Sequence, residues 1–288
     1  MIGISCARPW LVVGIPFVAA FVLLFWPTFA WMAERFDAHD SFYSHGWLIP
    51  VASGWLIWQR RDRLQRLMPQ ASFAGLWLLV PSVALHVIAT WWRLGFVSGF
   101  AMVGAVWGLV WTVWGRQVLH AVRFPLLFLL FMVPLPGVLL IATSFKMKLM
   151  AASWSAQLLN LIGFHVVQAG STLHVPGATS VIIDDTCSGL RSLISLIALS
   201  SWWTALLPPS ARLWHKAVMV AASIPLALVA NMVRIVMLVF ITAVYGRDAA
   251  EGFMHYGSGF VVFGVAVAAL AWLGHWLVRS PADRQVAG

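Results

Sequence analysis

Three stretches of the chain carry side chains able to do covalent chemistry. In the first, Asp184-Asp185-Thr186-Cys187-Ser188-Gly189-Leu190-Arg191, a cysteine stands at the head of an apolar run. Unsatisfied backbone N–H groups and the positive end of the helix dipole favour thiolate over thiol at a helix N-terminus. Arg191, four residues on, lies on the same face one turn deeper and adds a cation. Asp184 and Asp185 oppose that effect, or cap the helix together with Thr186 or Ser188. The plainer alternative is a cysteine that fills space as a small buried hydrophobe.

The second stretch is Asn231-Met232-Val233-Arg234 inside the apolar run LALVANMVRIVMLVF. An arginine at the centre of a membrane helix costs about 2.5–3.5 kcal/mol on insertion scales, so it faces the interior and has a partner or a task. A structural ion pair or a capped carbonyl would also satisfy it. Asn231 falls on the same helical face. The third is His255, in the segment Arg247 to Gly257 just as the last apolar run begins. Alone it would be read as a solvated loop histidine. Together, a thiol, an acid/base that titrates near neutrality and a fixed cation are the parts needed for acyl transfer through a thioester. No metal-ligand spacing and no phosphate-binding glycine loop is present, so neither a metal nor a cofactor is expected. Cys6 and Cys187 are the only cysteines, and their separation argues against a disulfide.

These residues need elements to hold them, and composition says which. The chain has 288 residues, 61% hydrophobic and 9% charged, with a mean hydropathy of +0.89. A soluble domain carries about 25% charged residues, so this composition excludes one. Apolar runs near 10–33, 46–58, 73–92, 94–114, 124–143, 187–207, 217–245 and 257–278 predict about eight transmembrane helices. Arg60, Arg61, Arg63 and Arg66 mark a cytoplasmic loop, and alternation from it puts both termini inside. On this count the cytoplasmic segments carry +9, the outer segments −2, and Arg191 and Arg234 add +2 within the membrane. A basic balance that would suggest nucleic acid in a soluble protein is therefore a topology signal, and no nucleic-acid partner is expected.

Segment 144–164 is helical in pattern but carries Lys146 and Lys148 after a span that should end outside. It is read as an interfacial helix with Trp154 and its leucines toward lipid; a ninth span is the alternative, disfavoured by positive-inside counting. Segment 165–183 mixes Val and Ile with Gly, Ser and Thr, which predicts a strand pair or extended cap on the outer face. The expected fold is an all-α polytopic membrane protein. It forms a single domain over 1–288, with an outer interfacial helix and cap at 144–186.

The patterns TCSGLRSL, NMVRIVML and HYGSG, each within or at the head of a late apolar run, resemble the exosortase/archaeosortase family of polytopic cysteine transpeptidases. Tyr43-Ser44-His45-Gly46 with Pro50, and FPLLFLLFMVPLP at 124–136, agree with it, so that the resemblance runs from about 37 to 265. It implies Cys187, Arg234 and His255 as the catalytic residues, with Arg191, Asn231, Ser188 and His45 beside them or toward substrate. It further implies exported substrate proteins bearing a carboxy-terminal Pro-Glu-Pro motif, a transmembrane helix and a basic tail. The acceptor stays unidentified. The setting is the bacterial inner membrane, in contact with its lipid and with the site toward the outer face. Some members carry a further carboxy-terminal domain, which this chain, ending at 288, is expected to lack.

Three other readings remain. A transporter or flippase of an anionic lipid-linked or polysaccharide precursor would use Arg191, Arg234 and His255 to bind charge and would not need Cys187. A structural subunit would tolerate change at all of them. An intramembrane serine protease would rest on Ser188 and require a base within reach.

Overall fold

A computed structural model of the chain describes residues 18–38, 41–175, 180–183, 187–208, 211–246 and 253–279; the side chains of 253–256 and 278–279 fall outside it. About 80% of the described residues are helical, as the apolar runs require. It divides into two compact units, one formed by residues up to 38 with 46–134 and the other by 39–45 with 135–288.

In the first unit a helical stretch at 18–24 leads into α1 (Trp26–Asp37), followed by α2 (Leu48–Gln59), the short α3 (Arg61–Gln65), α4 (Leu76–Trp91) and α5 (Gly95–Phe128). The packing of α4 against α5 is its main contact. A buried polar knot ties three of these helices together. His86 on α4 shares Nδ1 with the Ser98 hydroxyl of α5 at 2.7 Å and donates from Nε2 to the Leu24 carbonyl at 2.9 Å. Thr28 of α1 reaches Ser98 at 2.6 Å. The Leu24 bond makes Nε2 the protonated nitrogen and leaves Nδ1 as acceptor.

α5 is two helical segments joined at Gly115, whose φ of 81° and ψ of 178° are closed to side-chain-bearing residues. A Cβ there would run into the Gln70 carbonyl. The sequence places a basic break at Arg116, and the structure puts the corner one residue earlier.

In the second unit α6 (Gly137–Leu161) is followed by three strands, β1 (Val167–Ala169), β2 (Thr172–His174) and β3 (Val181–Ile182), and then by α7 (Leu190–Thr204), α8 (Leu213–Tyr245) and α9 (Phe253–Arg279). The strands form one antiparallel sheet in chain order, with Val167 opposite His174 and Leu173 opposite Val181. The predicted strand pair thus has a third member. Leu173 and Val181 turn inward to meet Ala152 and Leu159 of α6 and Ile235 and Val239 of α8 in one core. α7, α8 and α9 share a second core around Leu196, Ala227, Ala266 and Leu270.

The expected interfacial helix 144–164 is not a separate element. Pro134 and Pro136 interrupt the apolar run 124–143, and helix resumes at Gly137 without a break to Leu161. Proline removes a backbone donor and clashes with the preceding turn, so the boundary falls at the prolines rather than at the lysines. The buried face of α6, Ser144, Met147, Ala151, Ala152, Ser155, Ala156 and Leu159, has helical spacing, while Trp154 lies outward at 40% exposure.

Among the described residues four helical stretches are long and apolar enough to cross a membrane: Phe73–Trp91, Gly95–Met132, Leu213–Tyr245 and Gly257–Leu277. The other expected spans differ for identifiable reasons. α2 has 12 residues and α7 has 15, about 18 and 22 Å at 1.5 Å per residue, short of a 30 Å hydrocarbon core. The first expected span begins outside the described residues.

Candidate functional site

The candidate residues gather in the second unit, where α7, α8 and α9 pack together. Cys187 and Ser188 immediately precede α7 and are buried, at 3% and 1% exposure. Gly189 is the N-cap of the helix in the left-handed conformation, φ 82°. Helix begins only at Leu190, so the expectation that Cys187 and Arg191 share a helical face does not hold: the left-handed turn at Gly189 separates them. What fixes the cysteine is instead a neighbouring helix. Asn231 of α8 donates from Nδ2 to the Cys187 carbonyl at 3.0 Å.

Asn231 also explains the glycine. A Cβ on Gly189 would lie 2.8 Å from the Asn231 Cγ and 2.9 Å from its Nδ2, in addition to the strain that a side chain meets at positive φ. The Ser188 hydroxyl accepts from the Leu190 N–H at 3.4 Å, and the Gly189 carbonyl accepts from the Leu193 N–H at 2.9 Å. The Ser188 hydroxyl thus makes a local turn with the Leu190 N–H, while the Gly189 carbonyl opens the helical hydrogen-bond series of α7.

Arg234 follows Asn231 on the same face of α8, as its spacing predicts. Both line a cavity of about 20 Å³ between α7, α8 and α9, together with Ser192 and Gly259. That is room for about one water. Gly259 faces the guanidinium, and a Cβ there would stand in ordinary contact with it, 3.5 Å from the Arg234 Nε. His255 sits in the first turn of the same helix α9, four residues before Gly259; its side chain lies outside the described residues, as do Asp184, Asp185 and Thr186. The thiol itself belongs to the apolar core of α6, the sheet and α8, near Ala152, Val181 and Ile235.

His45, far away in sequence, comes to α7. Its Nδ1 is 3.2 Å from the Ser195 hydroxyl, and the ring stacks on Tyr43 with centroids 5.7 Å apart. The Tyr43 hydroxyl accepts from the Leu135 N–H at 3.2 Å, just before α6. Ser195 is one turn beyond Arg191 on α7, so His45 and Arg191 address the same helix.

Sequence reasoning missed two contributors: Gly189 as a conformational requirement and Ser195 as the anchor of His45. Only Gly189 carried a signal, a glycine placed just before an apolar helical run. Among the described residues no group of His, Cys, Asp and Glu could hold a metal ion.

The arrangement joins a buried cysteine, held by its own carbonyl, to a helix that carries an arginine one turn away, and sets a histidine-bearing helix beside both. No curated protein and no solved structure matches the chain. The motifs that carry Cys187, Arg234 and His255 all fall within residues 31–272, which match the transmembrane exosortase family model, and the chain belongs to that family.

Proposed function

We propose that the protein is a membrane-embedded cysteine transpeptidase in which Cys187, Arg234 and His255 carry the reaction. Membership of the exosortase family supports a membrane transpeptidase. The observation that carries the residue assignment is the bond from Asn231 to the Cys187 carbonyl, 3.0 Å long, which fixes the cysteine to the helix bearing Arg234.

In this reading the Cys187 thiolate attacks a peptide carbonyl and forms a tetrahedral oxyanion, which Arg234 stabilises. Collapse breaks the C–N bond, and His255 gives its proton to the departing amine. The resulting thioester is resolved by water or by an acceptor amine or hydroxyl, and His255 takes back a proton from that nucleophile. Arg191 and His45, both on the surroundings of α7, contact substrate or hold the helix. Substrates are exported proteins with a carboxy-terminal Pro-Glu-Pro motif, a transmembrane helix and a basic tail. The bilayer orients that helix and brings the scissile bond to the depth of Cys187 by proximity. The protein acts in the inner membrane with the site toward the outer face.

The test is mass spectrometry of the purified protein incubated with such a substrate. A substrate fragment bound to Cys187, absent from Cys187→Ala, is the expected result. Substrate cleavage retained in Cys187→Ala would refute the thioester mechanism.

A further inference from the structure

The first unit contains a polar cleft that the transpeptidase reading does not use. It has a volume of about 430 Å³ and is lined by Met68, Gln70, Ser72, Trp114, Arg116 and His120, with Ala71 and Gln117. Its two walls are tied at the backbone: the Gln70 N–H donates to the Trp114 carbonyl at 3.3 Å and the Ser72 N–H to the Thr112 carbonyl at 3.0 Å. The corner at Gly115 produces it. With φ at 81° and the Gln70 carbonyl against the α carbon, only glycine lets the chain turn there so that Trp114 before it and Arg116 after it both line the cleft.

Donors in the cleft outnumber the bonds made there. Arg116 Nε donates to His120 Nε2 at 3.4 Å. Among the described residues no further partner is found for the terminal nitrogens of Arg116 or for the side-chain amides of Gln70 and Gln117. Because His120 accepts at Nε2, its protonated nitrogen is Nδ1, a further donor. The surroundings are cationic as well. Arg60 reaches across from the end of α2 to the Ala121 carbonyl at 3.0 Å, and its pKa is pulled below the ordinary value first by burial and then by Arg63 and Arg123. In the stretches 58–72 and 112–123 the one acidic residue is Asp62, which pairs with Arg61 at 3.7 Å.

A cleft that offers one uncommitted guanidinium, amide donors and a tryptophan, inside a field of arginines beside long apolar helices, has the chemistry of a phosphate site at a membrane surface. We propose that this cleft binds a phosphate group, as carried by the headgroup of an anionic phospholipid, with Arg116 as its main contact. An apolar or cationic ligand would leave Arg116 uncompensated; a zwitterionic headgroup would bring its own cation into a site that already has one.

Native mass spectrometry of the full chain in detergent, titrated with phosphatidylglycerol, phosphatidylcholine or inorganic phosphate, tests this. Phosphatidylglycerol adducts should be retained and phosphatidylcholine adducts should not. Arg116→Gln, which removes a direct charge-assisted contact, should weaken phosphatidylglycerol binding about tenfold, whereas Arg61→Gln, outside the cleft, removes only a charge from the surrounding field and should weaken it clearly less. Melting curves without lipid report whether Arg116→Gln folds. Should it not fold, Gln117→Glu, at an exposed position, places a negative charge in the cleft and should weaken binding as well. Displacement of phosphatidylglycerol by inorganic phosphate would support the phosphate site and point to a soluble ligand; resistance would support it and point to the lipid. Equal losses in Arg116→Gln and Arg61→Gln, or equal retention of phosphatidylcholine, would overturn it.

Discussion

At the scale of single residues, the site depends on a side chain that does no chemistry. Asn231 spends its amide on the Cys187 carbonyl and packs against Gly189, so the two positions are energetically coupled. Asn231→Ala leaves a buried carbonyl without its donor, which should cost about 1 kcal/mol. Gly189→Ala should cost about 1–2 kcal/mol for the left-handed backbone alone, plus the clash with Asn231. Because truncating Asn231 removes that clash, the double variant should be less destabilised than the sum of the two singles. Reversible unfolding in detergent measures the cycle, and strict additivity would show that the two side chains do not press on each other. Of this local arrangement the sequence makes legible the reactive types and the Asn231 to Arg234 spacing. It does not show the cysteine's true partner, because residues 187 and 231 are brought together by tertiary packing, and a local i, i+4 rule points instead to Arg191.

Elements were legible to different degrees for a physical reason: apolar runs announce helices, but only side-chain chemistry at the ends sets their limits. The run 124–143 is apolar throughout except for its prolines, and Pro134 and Pro136 divide it into the end of one helical stretch and the beginning of α6. Likewise α8 starts at Leu213, ahead of the apolar run at 217, because the His215 ring accepts from the Arg212 N–H at 3.0 Å and caps the first turn. Between helices, polar contacts inside apolar stretches carry specificity that hydropathy conceals. His86, 3% exposed on α4, joins the Leu24 carbonyl to Ser98 on α5. Replacing it with Leu, close to its volume, abandons that carbonyl in an apolar interior and should destabilise the protein by about 1–2 kcal/mol. Unfolding at lower denaturant than wild type is the expected reading; an unchanged midpoint would mean that the carbonyl is satisfied in some other way.

At the scale of the whole molecule the decisive quantity is the number of times the chain crosses the bilayer between the arginine loop and the sheet. α4 and the two segments of α5 on either side of Gly115 are the expected crossings, and α6 decides the parity. It has 25 residues, about 37 Å at 1.5 Å per residue, long enough to span. Lys146 and Lys148 stand in its middle third, where each would cost about 2.5–3.5 kcal/mol at a bilayer centre, and α6 is absent from the stretches apolar enough to cross. Length therefore permits a crossing and charge opposes it; an interfacial position keeps both lysines in reach of water, and it is the one expected here. With α6 at the interface the crossings between the loop at 60–66 and the sheet are expected to be odd in number, which predicts that labelling reagents reach the two from opposite sides. A membrane-impermeant maleimide tests this in cells or spheroplasts with Cys6 replaced by Ser. Arg66→Cys should label only after the membrane is opened, and Gly170→Cys, at the exposed turn between β1 and β2, should label from outside. Protection of both positions in intact cells would make α6 a crossing helix, place the sheet and the adjoining Cys187 segment on the arginine side, and require a cytoplasmic substrate.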